Sequence, residues 1–164
     1  FQYDGIVRER ILDYKFNEKS YLYKTFVNFL LKRQKVFEKI KEYDIIVPVP
    51  ISRKRKRERG YNQSLLVARE ISRQLRKYAN KDLQLVTTSL YKIKNTIEQS
   101  KLNKEDREKN AQGVYELKNR QILKNKNVLL FDDIYTTGNT ANSCCGEIKK
   151  AEPNNIGVLV LAKD

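Results

Sequence analysis

The segment that most constrains the fold of this chain is residues 128–140, which read Val-Leu-Leu-Phe-Asp-Asp-Ile-Tyr-Thr-Thr-Gly-Asn-Thr. Its first four residues are apolar and predict a buried strand, and two adjacent carboxylates, Asp132 and Asp133, stand where that strand ends. A turn rich in hydroxyl groups follows, and residues 141–150 are compatible with a helix. A strand that delivers acidic residues to a loop opening a helix is typical of a ligand-binding edge of an α/β sheet.

The loop between this strand and this helix has the composition of an anion-binding turn. Its members can direct backbone N–H groups and hydroxyls toward one point, which the positive end of the following helix also faces: Thr136, Thr137, Gly138, Asn139 and Thr140. Gly138 allows the backbone to turn and to approach a ligand closely because it has no Cβ. The alternative is a buried strand followed by a polar turn without a ligand, but paired acids at a strand end are costly to place without a partner.

Length and composition place the chain among globular proteins. Its 164 residues suffice for one domain with a hydrophobic core, expected to span 1–164, and 40% hydrophobic residues argue against disorder. No apolar run is long enough to cross a membrane and no secretory signal is visible, so we expect a cytoplasmic protein without membrane insertion. The chain begins at Phe1 and contains no Met, which we interpret as a trimmed or truncated form of a longer product.

The histidine and cysteine content excludes several kinds of site. Because the chain has no His, it has no Ser-His-Asp triad, no His-activated cysteine and no His-containing metal site. The two cysteines, Cys144 and Cys145, are neighbours on the predicted helix and would point in different directions. We therefore expect one of them in the core and the other half exposed, in a reducing compartment.

The chain has a large excess of positive charge, which favours polyanionic partners. It carries 34 Lys and Arg against 20 Asp and Glu, a formal net charge of +14. Nucleic acid, a phosphate-rich ligand or both would suit this charge, but so would a solvated basic surface without a partner. The same two interpretations apply to the basic run 53–59, which is expected to be a loop. Arg59 stands apart as a candidate ligand residue because it adjoins Gly60 and the start of a predicted helix.

Hydrophobic periodicity predicts strands that alternate with helices, and therefore a parallel sheet flanked by helices. Strands are predicted at 44–50, 83–93, 114–117, 127–134 and 156–161. Helices are predicted around 7–14, over 22–37 and from Asn62, which would cap its helix. Residues 94–112 are polar and lack Gly and Pro, which indicates a mobile loop.

Residues 128–140 resemble the phosphoribosyl pyrophosphate (PRPP) signature of type I phosphoribosyltransferases. Further segments resemble one branch of that fold, the ComF family of bacterial competence proteins: Val47–Pro50, Arg59–Gln63, Gln99-Ser100 with Leu102, and Arg107 with Asn110. ComF-type proteins often carry an N-terminal four-cysteine zinc module. This chain lacks one, so no zinc is expected within it.

The resemblance implies a type I phosphoribosyltransferase-like core over 44–164 and a small N-terminal helical hood over 1–43. Asp132 and Asp133 would be the catalytic acids at the ribose, and residues 136–140 would hold the 5′-phosphate. Pyrophosphate would be bound by the loop that contains Pro48, Val49, Pro50, Ile51 and Arg59. Gln99 and Arg107 would belong to a flexible loop that closes over the site.

The implied reaction transfers phosphoribose from PRPP to a nitrogen acceptor that the sequence does not identify. Mg²⁺ would enter with PRPP, and Asp132 or Asp133 would be its candidate protein ligands. The alternative is a non-catalytic protein that senses PRPP or a nucleotide and binds single-stranded DNA during competence. Competence proteins are further candidate partners, and the oligomeric state stays open.

Overall fold

The computed structural model describes residues 1–17, 19–93 and 113–164. The helices of these residues are α1 (Gly5–Phe16), α2 (Leu22–Leu31), α3 (Gln34–Lys41), α4 (Arg53–Arg59), α5 (Gln63–Ala79) and α6 (Asn139–Lys149). The strands are β1 (Ile45–Pro48), β2 (Gln84–Leu85), β3 (Leu90–Lys92), β4 (Tyr115–Leu117), β5 (Asn127–Tyr135) and β6 (Asn155–Lys163). A short 3₁₀ turn, Arg120–Ile122, precedes β5. Gln99 and Arg107 lie outside the described residues.

The main sheet is parallel, which confirms the predicted α/β class. Its strand order is β2-β1-β5-β6, and each neighbouring pair is parallel. The chain moves outward from β1 to β2 on one side and from β5 to β6 on the other, so the winding direction reverses between β1 and β5. In open α/β sheets, ligands bind beyond the carboxyl ends of the strands at such a reversal.

The hood segment 1–43 packs on one face of the sheet together with α5. Its helices share a hydrophobic cluster with α5 and the sheet, formed by buried residues that include Ile11, Tyr14, Val27, Ile71 and Phe131. Burial of this apolar surface holds the hood on the core. The opposite face is covered by α6 and by the small antiparallel pair β3–β4, around the fully buried Cys144. Cys145 is half-buried, as expected.

Helix ends follow the capping residues in the sequence. The Asn62 side chain accepts hydrogen bonds from the backbone N–H groups of Ser64 and Leu65, which caps α5 as predicted. At its other end, Asn80 adopts the left-handed conformation that commonly terminates a helix.

Three expected elements differ in the structure. The basic run is the helix α4 and not a loop, because Lys and Arg are good helix formers, Ser52 caps its start and Gly60 ends it at φ 77°. The predicted helix over 22–37 is divided into α2 and α3 at Lys32–Arg33. The single strand expected over 83–93 is two strands, since β2 pairs with β1 whereas β3 pairs with β4. In the described ranges, the helices are too short or too polar to cross a bilayer.

The packing of Gly157 against Tyr43 yields a test of the fold. A Cβ at Gly157 would overlap the hydroxyl of the buried Tyr43 and lie 2.5 Å from its Cζ. Gly157→Ala should therefore reduce the free energy of unfolding by about 1–3 kcal/mol, the usual cost of overpacking. Chemical denaturation would measure this value.

Gly146→Ala provides the matched control, because among the described residues no atom beyond the neighbouring residues and the backbone of its own helix lies within 4 Å of the added Cβ. Gly146 lies within α6, where Ala is favoured over Gly by roughly 0.5–1 kcal/mol. Equal stability of the two variants would show that Tyr43 does not restrict position 157.

Candidate functional site

The carboxyl ends of β1 and β5 open into a cleft of about 300 Å³ at the reversal point of the sheet. The parallel register places Pro48 beside Phe131, and the Val49 N–H donates to the Phe131 carbonyl at 2.9 Å. This pairing brings the segment after β1 next to the acid pair at the end of β5. The cleft is lined by Tyr3, Lys15, Val49, Pro50, Ile51, Arg55, Arg59, Gln63, Ser64, Lys92, Tyr115, Asp132, Asp133, Ile134, Thr136 and Thr140.

The two acidic residues of the cleft are stabilised in different ways. Asp133 forms an ion pair with Lys15 of the hood helix α1, with 2.9 Å between Oδ2 and Nζ, and both side chains are largely buried. Asp132 Oδ1 accepts from the Asp133 N–H at 2.9 Å and from the Ser64 hydroxyl at 3.4 Å. Burial, and secondarily the charge of Asp133, raises the pKa of Asp132 to about 7. Near neutral pH, the Asp132 carboxyl is therefore poised between its two protonation states.

The loop after β5 encloses a smaller cavity of about 40 Å³ beside Asp132. It is lined by the five predicted loop residues 136–140 and by Ile134, Tyr135, Ala141 and Val160. Gly138 lies at φ 78°, in the left-handed region that favours glycine, and its carbonyl accepts from the Asn142 N–H at 2.8 Å. A Cβ at Gly138 would overlap the Tyr135 hydroxyl and lie 2.8 Å from Cζ. Both the turn and the ring behind it thus require glycine.

Three further cations line the same cleft as the acid pair. Arg55 and Arg59 lie one turn apart on α4, and Lys92 extends from β3. Burial, and next the charge of Arg55, lowers the pKa of both Arg59 and Lys92. The Arg59 guanidinium also lies 4.7 Å from the ring centroid of Phe16 on the hood. Like charges held together in this way would be stabilised by a polyanionic ligand.

The structure brings most of the predicted site residues to one place. Val49, Pro50, Ile51, Arg59, Asp132, Asp133, Thr136 and Thr140 line the larger cleft, and Thr137, Gly138 and Asn139 line the small cavity next to it. Pro48 ends β1 directly before these residues.

Four further cleft residues were not predicted from the sequence as site residues, namely Lys15, Arg55, Ser64 and Lys92, and Gln63 was named only as the last residue of the segment Arg59–Gln63. Lys15 reaches the site only through packing of the hood, for which no local pattern exists. Arg55 lies beside Arg59 because α4 is a helix, in which residues four apart are neighbours. The prediction of a loop for 53–59 gave no reason to expect this arrangement. Gln63 and Ser64 could have been found, since the Asn62 cap fixes the helix start that carries them.

Among the described residues that line the cleft, the carboxylates are those of Asp132 and Asp133. Within residues 1–17, 19–93 and 113–164, no group of three or more His, Cys, Asp or Glu side chains is arranged to hold a metal ion. Carboxylate oxygens are nevertheless the protein ligands that Mg²⁺ prefers, and Mg²⁺ is commonly bound by one or two carboxylates together with substrate phosphates. The donor set therefore fits a magnesium ion that enters with a phosphorylated ligand.

Comparisons with known proteins agree with this geometry. Residues 61–164 match the family model described as phosphoribosyl transferase domain. Competence protein F of Haemophilus influenzae is 29% identical over 92% of this chain and 65% of its own length. Competence protein ComFC of Bacillus subtilis is 28% identical over 85% of this chain and 52% of its own length. The chain thus spans less than two thirds of either curated relative.

A solved structure shows the same fold. The purine phosphoribosyltransferase from Pyrococcus horikoshii superposes with a TM-score of 0.50 at 17% identity, over 87% of this chain and 73% of that chain. The predicted resemblance to ComF proteins and to the type I phosphoribosyltransferase fold is thereby confirmed. With more than half of its residues matched by the family model, the chain belongs to the phosphoribosyl transferase domain family and is similar to competence proteins of the ComF type.

Proposed function

We propose that this chain binds PRPP together with Mg²⁺ and transfers its phosphoribosyl group to a nitrogen acceptor. The observation that carries the proposal is the convergence of an acid pair, a glycine-dependent loop and a cationic helix face on one cleft. These three features correspond in chemistry to the ribose hydroxyls, the 5′-phosphate and the pyrophosphate of PRPP. We further propose that 1–164 acts as one cytoplasmic domain, and that its role belongs to DNA uptake.

Each part of the cleft has a role in this reaction. Residues 136–140 hold the 5′-phosphate through backbone N–H groups and hydroxyls at the start of α6. Asp132 and Asp133 accept hydrogen bonds from the ribose hydroxyls and place negative potential near C1. The residues after β1, with Arg55 and Arg59, stabilise the pyrophosphate as it departs.

The chemical step breaks the bond from C1 to the pyrophosphate oxygen and forms a bond from C1 to the acceptor nitrogen. Positive charge develops on the ribose, the electron pair of the broken bond leaves with pyrophosphate, and the proton that the acceptor nitrogen loses passes to solvent water. Mg²⁺, held by the phosphates and by Asp132 or Asp133, would neutralise charge on the leaving group. Gln99 and Arg107 remain candidates for a segment that covers the site and excludes water.

A second candidate function is a PRPP or nucleotide sensor that binds single-stranded DNA during competence, alone or with other competence proteins. The exposed side of α4 supports it, because four cations there do not line the cleft: Arg53, Lys54, Lys56 and Arg57. A continuous cationic surface next to a nucleotide-type cleft would suit a strand backbone. The two functions are compatible.

Removal of either carboxylate charge should weaken PRPP binding. Asp132→Asn and Asp133→Asn should each raise the Kd for PRPP with Mg²⁺ by roughly 10- to 100-fold, the value of a lost hydrogen bond to a charged group. Isothermal titration calorimetry would measure the affinities, with ribose 5-phosphate and plain phosphate as comparison ligands.

Asp82→Asn is the matched control, since Asp82 pairs with Arg76 beyond the far end of α5 and its side chain is 72% exposed. Its affinity for PRPP should equal that of the unsubstituted chain. If both cleft variants bind PRPP equally well, the acid pair does not hold the ribose.

The pKa of Asp132 predicts how stability depends on pH. Because the folded chain raises this pKa from 3.8 to about 7, it holds the proton more tightly than the unfolded chain does. The protonated Asp132 therefore contributes to the free energy of unfolding. This stabilisation is complete below the pKa of the unfolded chain and is lost as the pH rises through about 7.

Asp132→Asn cannot ionise and should escape this loss. The melting temperature of the variant minus that of the unsubstituted chain should therefore be several degrees larger at about pH 8 than at about pH 5. Differential scanning fluorimetry without ligand would measure both melting temperatures. A constant difference over this range would mean that Asp132 ionises without cost to the fold.

The two sides of α4 can be separated by substitution. Replacement of Arg53, Lys54, Lys56 and Arg57 by Gln should lower single-strand affinity and flatten its salt dependence, because fewer counterions are released. PRPP affinity should persist, since Arg55 and Arg59 are retained. Fluorescence anisotropy over a salt series would measure the affinity for single-stranded DNA and its salt dependence.

The control replaces four exposed lysines by Gln before β5 and at the end of α6, on the opposite edge of the sheet: Lys124, Lys126, Lys149 and Lys150. Both variants lose the same charge, so equal effects on DNA would indicate a general charge effect and not a site on α4.

A further inference from the structure

The side chain of Gln63 has an unusual position at the start of α5. The residue is 1% exposed, yet it lines the cleft, and its Nε2 group has no hydrogen-bond partner in the part of the chain that the structure describes. Its backbone is firmly held, because the Gln63 carbonyl accepts from the Tyr14 hydroxyl at 2.8 Å. A buried amide donor without an acceptor destabilises a folded protein, so such groups call for an explanation, and an absent ligand is one.

Three neighbouring donors at this helix start are already engaged. The N–H groups of Ser64 and Leu65 donate to the Asn62 side chain, and the Ser64 hydroxyl donates to Asp132. The Gln63 amide is a side-chain donor that the start of α5 still offers to the cleft. The positive end of the 17-residue helix α5 lies behind it and favours an acceptor that carries negative charge.

We infer that Gln63 donates a hydrogen bond from its side-chain amide to an oxygen of the pyrophosphate group, an inference that rests on the proposed function. Gln63 lines the cleft together with Val49–Ile51 and the two arginines of α4, and the preceding residue, Asn62, donates from its side-chain amide to the Val49 carbonyl at 3.1 Å. Phosphoryl oxygens only accept hydrogen bonds and match an N–H donor, whereas ribose hydroxyls can donate to the nearby carboxylates. Gln63 therefore contributes an uncharged donor to a site otherwise made of cations and backbone.

The test compares Gln63→Met with Gln74→Met on the same helix. The Gln74 amide is partnered, since its Nε2 donates to Asn28 at 3.0 Å and to Glu70 at 2.9 Å. Melting temperatures without ligand, and calorimetric affinities for PRPP, magnesium pyrophosphate and ribose 5-phosphate, would be measured for the unsubstituted chain and both variants.

We expect opposite results for the two glutamines. Gln63→Met should keep or raise the melting temperature, because it removes an unsatisfied buried donor, and should weaken PRPP and pyrophosphate binding about tenfold or more while ribose 5-phosphate binding is unchanged. Gln74→Met should lower the melting temperature and leave every affinity unchanged. Gln63→Glu, which adds an acceptor and a charge in the same shape, should weaken pyrophosphate binding further than Met does.

Several results would overturn the inference. A Gln63→Met variant that melts lower and binds PRPP normally would make Gln63 a structural residue. A loss confined to ribose 5-phosphate and PRPP would move its partner from pyrophosphate to ribose. If the unsubstituted chain binds magnesium pyrophosphate but not PRPP, the proposed function fails, and the pyrophosphate affinity of Gln63→Met still tests the hydrogen bond from Gln63. If the unsubstituted chain binds neither ligand, both proposals fail.

Discussion

The parallel pairing of β1 with β5 is the constraint on which the rest of the structure depends. It joins two strands that are far apart in sequence and places their carboxyl ends side by side, with Pro48 next to Phe131. Because the chain winds away from this pair in both directions, a cleft opens beyond the carboxyl ends of the two strands. The residues that follow β1 and those that follow β5 thus face one cleft. A shift of this register by one residue would exchange the faces of the sheet toward which Asp132 and Asp133 point.

Charge distribution in the cleft follows from the same arrangement. The end of β5 supplies carboxylates, whereas the segment after β1 leads into a helix of Lys and Arg. Lys15 compensates Asp133, and burial raises the pKa of Asp132 and so reduces its negative charge near neutral pH. The ligand-free cleft therefore presents little uncompensated negative charge and a concentrated positive wall, a balance that favours entry of a polyanion.

Local patterns predicted the parts of the fold that local chemistry decides. Four apolar residues before the acid pair form the buried centre of β5, Asn62 caps α5, and Gly138 adopts the positive φ that the turn requires. Periodicity could not show that the basic run is helical, since residues 53–59 contain no apolar residue and therefore no hydrophobic period, although Ser52 and Gly60 are cap signals. Nor could it place Lys15 or the cluster at the start of α5, because those contacts depend on how the hood packs on the core.

The end of α1 is tied to the cleft by three consecutive residues. The Tyr14 hydroxyl donates to Gln63 and its carbonyl accepts from Tyr61, Lys15 pairs with Asp133, and Phe16 stacks under Arg59. These contacts join the beginning of the chain to a strand near its end, so they close a loop that contains most of the molecule. During synthesis, the hood emerges before β5, so Lys15 cannot pair with Asp133 until that strand has joined the sheet. Assembly of the cleft therefore depends on contacts between residues distant in sequence, and a chain not yet extended to β5 has a hood but no acid pair.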